Sequence, residues 1–147
     1  MTTRIALASA REALALDEDM APLSAALRQA GPEVETPFWD DPKVDWGRYA
    51  VTVLRSTWDY VERIDEFLPW AKRCAQQTVL LNPPAVVRWN TDKHYLLELA
   101  QQGIPVVPTR FVEPGSIAAQ QIERFLGDGA DALTAGRTDS FAEFVVK

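Results

Sequence analysis

The chain has 147 residues, of which 15 are Lys or Arg and 21 are Asp or Glu, giving a net charge of −6. Hydrophobic residues make up 47% and charged residues 24%, a globular balance that excludes wholesale disorder. One cysteine excludes an internal disulfide or a multi-thiolate zinc site, and an acidic chain without a basic stripe is a poor nucleic-acid ligand.

In chain order, Arg4–Ala8 reads as a short buried strand. Asp19–Ala30 follows as a helix, with Met20, Leu23, Ala26, Leu27 and Ala30 on one apolar face, Asp19 as its cap and Gly31-Pro32 as its stop. Val34–Trp39 reads as a second strand and Tyr49–Leu54 as a central one, because its near-continuous apolar run suits burial on both faces. A helix is expected over Asp65–Gln77, placed so that Pro69 falls early in it. Phe67, Leu68, Ala71, Cys74 and Ala75 form its inward face, and Thr78–Asn82 is a fourth strand ended by Pro83-Pro84. Strands alternating with helices imply an α/β fold with a small doubly wound parallel sheet over residues 1–84.

A second domain is expected over residues 85–147. Thr91–Gln102 reads as a helix capped by Thr91 and stopped by Gly103, Val106–Val112 as a strand broken by Pro108, and Ile117–Leu126 as another helix. Gly127–Ser140 reads as a mobile loop, and Glu143–Lys147 as a final strand. No run of eighteen apolar residues exists to span a membrane, and Arg4, Arg11 and Glu12 interrupt any signal-peptide core, so the expectation is a cytoplasmic protein.

Familiar nucleotide and hydrolase signatures are missing: no GxGxxG follows the first strand, and there is neither a GxxxxGK[ST] loop nor a GxSxG elbow. His94 is the only histidine and reads as a surface residue; Cys74 reads as a small core residue. Two of the four lysines stand out. Lys93 is expected in the first turn of the Thr91 helix, where a cation opposes the helix dipole unless an anion binds there. Lys147 follows the apolar Phe144-Val145-Val146, on a rigid strand. Two ammonium groups so held can grip a polyphosphate; two ordinary surface lysines are the alternative.

Asp92-Lys93, then Gly103-Ile104-Pro105-Val106 with Pro108-Thr109, then Val145-Val146-Lys147 resemble the opening of an ATP-grasp domain. The resemblance implies that residues 85–147 are the incomplete first lobe of that domain and residues 1–84 its preceding substrate domain. It also implies that Lys93 and Lys147 contact the phosphates of ATP. The stretches PFWDDPKVDWGRYAVTVLRSTWDY and LLNPPAVVRWNTDKHYL are similar to a bacterial subgroup containing glutathione-synthetase-like proteins and the cyclo-ligase that closes O-ureido-D-serine. Those relatives use ATP to join a carboxylate to a nitrogen through an acyl phosphate. Their glycine- and serine-containing phosphate loop, adenine linker and magnesium ligands have no counterpart up to Lys147. The expectation is therefore the N-terminal part of a longer, magnesium-dependent ligase, without turnover when isolated.

Arg55–Tyr60 follows the central strand directly, where open α/β sheets bind ligands. Arg55 offers a planar fork for a carboxylate, Ser56 and Thr57 offer hydroxyls, Asp59 can receive an ammonium, and Trp58 and Tyr60 can wall a small amino-acid-like substrate. The alternative is an Arg55–Asp59 ion pair with Trp58 in the core; Trp39, Trp46 and Trp89 read as packing residues. Two other classes of function stay open: a non-catalytic small-ligand module, and a homodimer formed through the first domain.

Overall fold

The computed structural model describes residues 2–124 apart from 108, 110, 114 and 118. Two compact units divide the chain, Met1–Lys93 and His94–Lys147. In the first, a parallel sheet contains β1 (Arg4–Ser9), β2 (Glu33–Glu35), β3 (Val51–Ser56) and β4 (Val79–Leu81) in the order β2-β1-β3-β4. The helices between them are α1 (Arg11–Leu14), α2 (Met20–Gln29) and α3 (Ile64–Cys74), with α4 (Pro84–Thr91) after β4.

Alternation along β1 sends its side chains to two separate cores. Ala6 and Ala8 join Phe67, Trp70, Ala71 and Cys74 of α3, Leu80 of β4, Val87 of α4, and Trp39, Trp46 and Tyr49. Leu7 joins Met20 and Val34 on the other face, with Leu23 and Leu27 packed against them. The sheet is thus covered on both sides, as the apolar strands imply. The covering is uneven: Val79 and Leu81 on the edge strand β4 are 59% and 48% exposed.

Several expected elements differ in detail. The second strand regularises only at Glu33–Glu35, with one further bridge between Ser9 and Phe38. On α2 the buried residues are Met20 and Ser24, while Ala26 and Ala30 face solvent; Asp19 makes no side-chain cap bond, and its own N–H donates to Asp17 Oδ1 at 3.1 Å. Gly31 does adopt the left-handed region, at φ 113°. Pro69 sits in the second turn of α3 rather than the first, on an exposed position where the carbonyl it leaves unpaired can be hydrated. Trp70 joins the inward face of that helix.

The largest correction lies after β4. Pro83-Pro84 ends the strand, but Pro84 also opens α4, because proline at the first helical position loses no needed donor. Thr91 therefore closes a helix instead of capping one, and its Oγ1 donates to Arg88 O at 2.9 Å. In the second unit α5 (Tyr95–Gln101) follows, with His94 at its N-cap, and Gly103 has φ 77°. His94 lies 2.9 Å from Glu113 and stacks on Phe111 at 4.1 Å, so it has partners within its own unit. The described residues of 106–112 carry no strand, and residues 119–124 are helical. The expected loop at 127–140 and strand at 143–147, with Lys147, lie outside the described residues.

Candidate functional site

The strand order itself marks a site. From β1 the chain steps outward to β2, and then returns to place β3 on the opposite side of β1. The loops leaving β1 and β3 therefore diverge, and a crevice opens beyond their carboxyl ends. Ala10 N–H closes the gap between the two strands with a 2.7 Å bond to Ser56 O. Arg55 and Ser56 end β3 at this crevice.

Arg55 does not pair with Asp59. Its Nε and Nη2 donate to the two carboxylate oxygens of Asp17, each at 2.9 Å, and Nη2 also donates to Asp19 Oδ2 at 3.3 Å. Ser56, fully buried, donates through Oγ to Asp17 Oδ2. These donors, Ser56 first and Arg55 second, hold the Asp17 carboxyl below the usual carboxylate range. Asp59 belongs to another group: it accepts Trp39 Nε1 at 2.9 Å and Arg63 Nη1 at 3.1 Å. The alternative of an Arg55–Asp59 pair beside a core Trp58 is thus overturned on both counts, since Trp58 is 51% exposed. Thr57 is buried, and Tyr60 packs on Phe67 with ring centroids 5.6 Å apart. Trp39 and Trp46 are buried packing residues, whereas Trp89 is 38% exposed.

A pocket of about 160 Å³ lies beside this crevice. The ends of β3 and β4 supply Arg55, Thr57 and Asn82, the 3-10 turn Trp58–Val61 supplies Trp58 and Tyr60, and α4 with its exit supplies Asn90, Thr91 and Lys93. Its lining carries two cations and no carboxylate. That balance suits a small anionic group, flanked by aromatic walls and neutral hydrogen-bonding groups. Lys93 reaches the pocket from a place the sequence did not indicate. It follows the carboxyl end of α4, and its Nζ donates to Asn90 O at 3.1 Å. A cation there complements the dipole of α4, and in sequence Lys93 also stands one residue before His94, the N-cap of α5.

A larger cleft of about 560 Å³ runs beside α3 and is lined by Trp39, Trp46 and Trp70. Its lining carries four carboxylates, Asp40, Asp41, Asp65 and Glu66, against the two cations Arg63 and Arg73, and Arg63 is held by Asp40 at 2.7 Å and Glu66 at 2.7 Å over the Trp39 ring at 4.5 Å, so the cleft does not favour an anion. The smaller pocket is the better candidate on chemical grounds. Among the described residues no group of three or more His, Cys, Asp or Glu is arranged to hold a metal ion, and no helix is long and apolar enough to cross a membrane.

Known proteins share this fold. Residues 5–82 match the family described as D-cycloserine synthetase DcsG, N-terminal domain. The chain belongs to this family. Cycloserine biosynthesis protein DcsG from Streptomyces lavendulae is 41% identical over 143 residues, covering 97% of this chain and 45% of that protein. The crystal structure of D-cycloserine synthetase DcsG is similar with a TM-score of 0.74 and 41% identity, covering 88% of this chain and 43% of the other. The chain thus spans less than half the length of these relatives, and it shares with a D-cycloserine synthetase the fold that builds the strand-end pocket.

Of the six residues expected after the central strand, Arg55, Thr57, Trp58 and Tyr60 line the pocket, whereas Ser56 and Asp59 do not. Sequence reasoning did not find Asp17 or Asp19, which both lie in the α1–α2 connection, nor Asn82 and Asn90. Asp17 had one available signal, a carboxylate two residues before a helix cap, and that pattern is too common to single it out.

Proposed function

We propose that this chain is the N-terminal portion of an ATP-dependent ligase that activates a carboxylate as an acyl phosphate and lets a nitrogen displace the phosphate. Its substrate is amino-acid-like, and membership of the D-cycloserine synthetase family makes closure of an O-ureido amino acid the first reaction to test. The observation that carries the reading is the pocket at the strand ends, lined by Arg55 and Lys93 and by no carboxylate, with Arg55 held by Asp17 and Asp19 from outside the pocket lining. Arg55, Ser56, Thr57, Trp58, Asp59 and Tyr60 form the substrate side of the site in this reading. Arg55 supplies charge on this side, and Trp58 and Tyr60 shield the reacting groups from water. Asp59 serves that side through Trp39 and Arg63. Lys93 and Lys147 contact the phosphates of ATP. Catalysis of this kind depends on positioning and on neutralising phosphate charge, and magnesium, which the reaction class uses, is assigned to no residue here.

The test is ADP release by the full-length protein with ATP, magnesium and O-ureido-D-serine. Lys93→Ala is expected to weaken ATP binding about ten- to hundredfold, the range for a lost charge-assisted bond. Arg55→Ala is expected to raise the amino-acid KM and leave the ATP KM unchanged. ADP release at the rate of a no-substrate control would overturn the reading.

A further inference from the structure

Asp17 is unusual for a loop carboxylate: its side chain is only 4% exposed, and its main partner, Arg55, is 38 residues away in sequence. A carboxylate has about four acceptor directions, and here all four are taken. Oδ1 accepts Arg55 Nη2 at 2.9 Å and Asp19 N–H at 3.1 Å, while Oδ2 accepts Arg55 Nε at 2.9 Å and Ser56 Oγ. Nothing remains on Asp17 with which to receive a ligand. Arg55 is half committed: Nε and Nη2 are engaged, and Nη1 takes no part in these bonds. The side-on fork that would grip a carboxylate in two parallel bonds is filled by Asp17 from within the protein.

We propose that Asp17 is the positioning residue of the strand-end pocket, clamping Arg55 and Ser56 so that Arg55 meets the anionic group of a ligand through Nη1 alone. The placement of an amino acid in this pocket rests on the function proposed above; the clamp itself does not. Asp17 bridges the α1–α2 connection to the end of β3, so it fixes a long side chain that would otherwise sample many rotamers before binding.

Two measurements test the proposal. In proton–nitrogen correlation spectra of the 147-residue chain, the Arg55 Nε–H is expected to be sharp and slow to exchange, and to be lost in Asp17→Asn, whose amide puts a donor where Arg55 or Ser56 needs an acceptor. Asp17→Glu keeps the charge, displaces it by one methylene, and is expected to lose the signal as well. Glu33→Gln, which breaks the exposed Arg4–Glu33 pair, leaves it unchanged. In the full-length protein, Asp17→Asn is expected to raise the KM for O-ureido-D-serine at least tenfold with the ATP KM unchanged, and to have no further effect when combined with Arg55→Ala. A retained Nε–H signal in both Asp17 variants, or a KM defect that adds in full to that of Arg55→Ala, would overturn the clamp. Absence of turnover in the wild-type protein overturns the ligase function instead, and the spectra then decide the clamp by themselves.

Discussion

Tyr49 illustrates how much a single side chain depends on neighbours brought from elsewhere. It is 4% exposed, and its hydroxyl donates to Glu35 Oε2 at 2.8 Å, while Arg48 holds the other oxygen. Burial, and then the Glu35 bond, push the Tyr49 phenol up to about 12 from an ordinary value of 10.0. The native state therefore keeps a proton that the unfolded chain releases above pH 10. The stabilisation is intact below pH 10 and is lost as pH rises toward 12, by about 2–3 kcal/mol over the window. Urea unfolding from pH 9 to 12 checks this, and Tyr49→Phe should flatten that part of the profile. The same bond holds the Glu35 carboxyl below its usual range. Cys74 shows the effect of burial without a charged partner: its thiol is fully buried and pushed up to about 11, which makes it an inert core group, as its helix position suggests.

At the scale of elements, the connection from α2 to β2 depends on one backbone conformation. Gly31 ends the helix at φ 113°, and a Cβ built there would meet no atom within 4 Å. Any cost of substitution is therefore backbone strain and not a clash. Gly31→Ala is expected to destabilise the chain by about 1–2 kcal/mol, read from the urea midpoint at constant m-value. A smaller change would mean that the turn relaxes to negative φ without disturbing the β1–β2 pairing. The two short 3-10 turns, Trp46–Arg48 and Trp58–Val61, have a different role. The first buries Trp46 against Trp70 with centroids 5.2 Å apart, and the second presents Trp58 and Tyr60 to the pocket. Neither has an apolar period long enough to be recognised, because only residues three or four apart on a full helix produce one.

Over the molecule as a whole, stability should concentrate on the middle of the sheet. Leu7 is completely buried between β1 and α2, whereas Val79 on the edge strand is 59% exposed. Leu7→Ala is expected to cost about 2–5 kcal/mol and Val79→Ala less than about 0.5 kcal/mol, compared by chemical denaturation. Equal losses would mean that β4 is covered in solution by something outside the first unit. The central pair β1 and β3 also carries the crevice, so strands paired on both sides hold Arg55 and Ser56, and the switch in strand order places both residues at one end of the sheet.

The sequence by itself determined the sheet. Apolar runs at Arg4–Ala8, Tyr49–Leu54 and Thr78–Asn82, separated by helical periods, imply parallel strands, and the same pattern placed Arg55 at the end of the central strand, where it lines the pocket. In β1 burial on two faces leaves a local mark, since every inner position is apolar or small, whereas β4 is apolar although Val79 and Leu81 are exposed. Pairing leaves no such mark. The exchange of an Arg55–Asp59 pair for the Asp17–Arg55–Ser56 cluster, the double use of Pro84, and the placing of Lys93 between the end of α4 and the N-cap of α5 rather than inside a first helical turn were decided only by tertiary structure. Each is a choice among partners or helix boundaries of nearly equal local energy. Such choices are settled by which groups the packed sheet brings within hydrogen-bonding distance, and spacing along the chain carries no record of that.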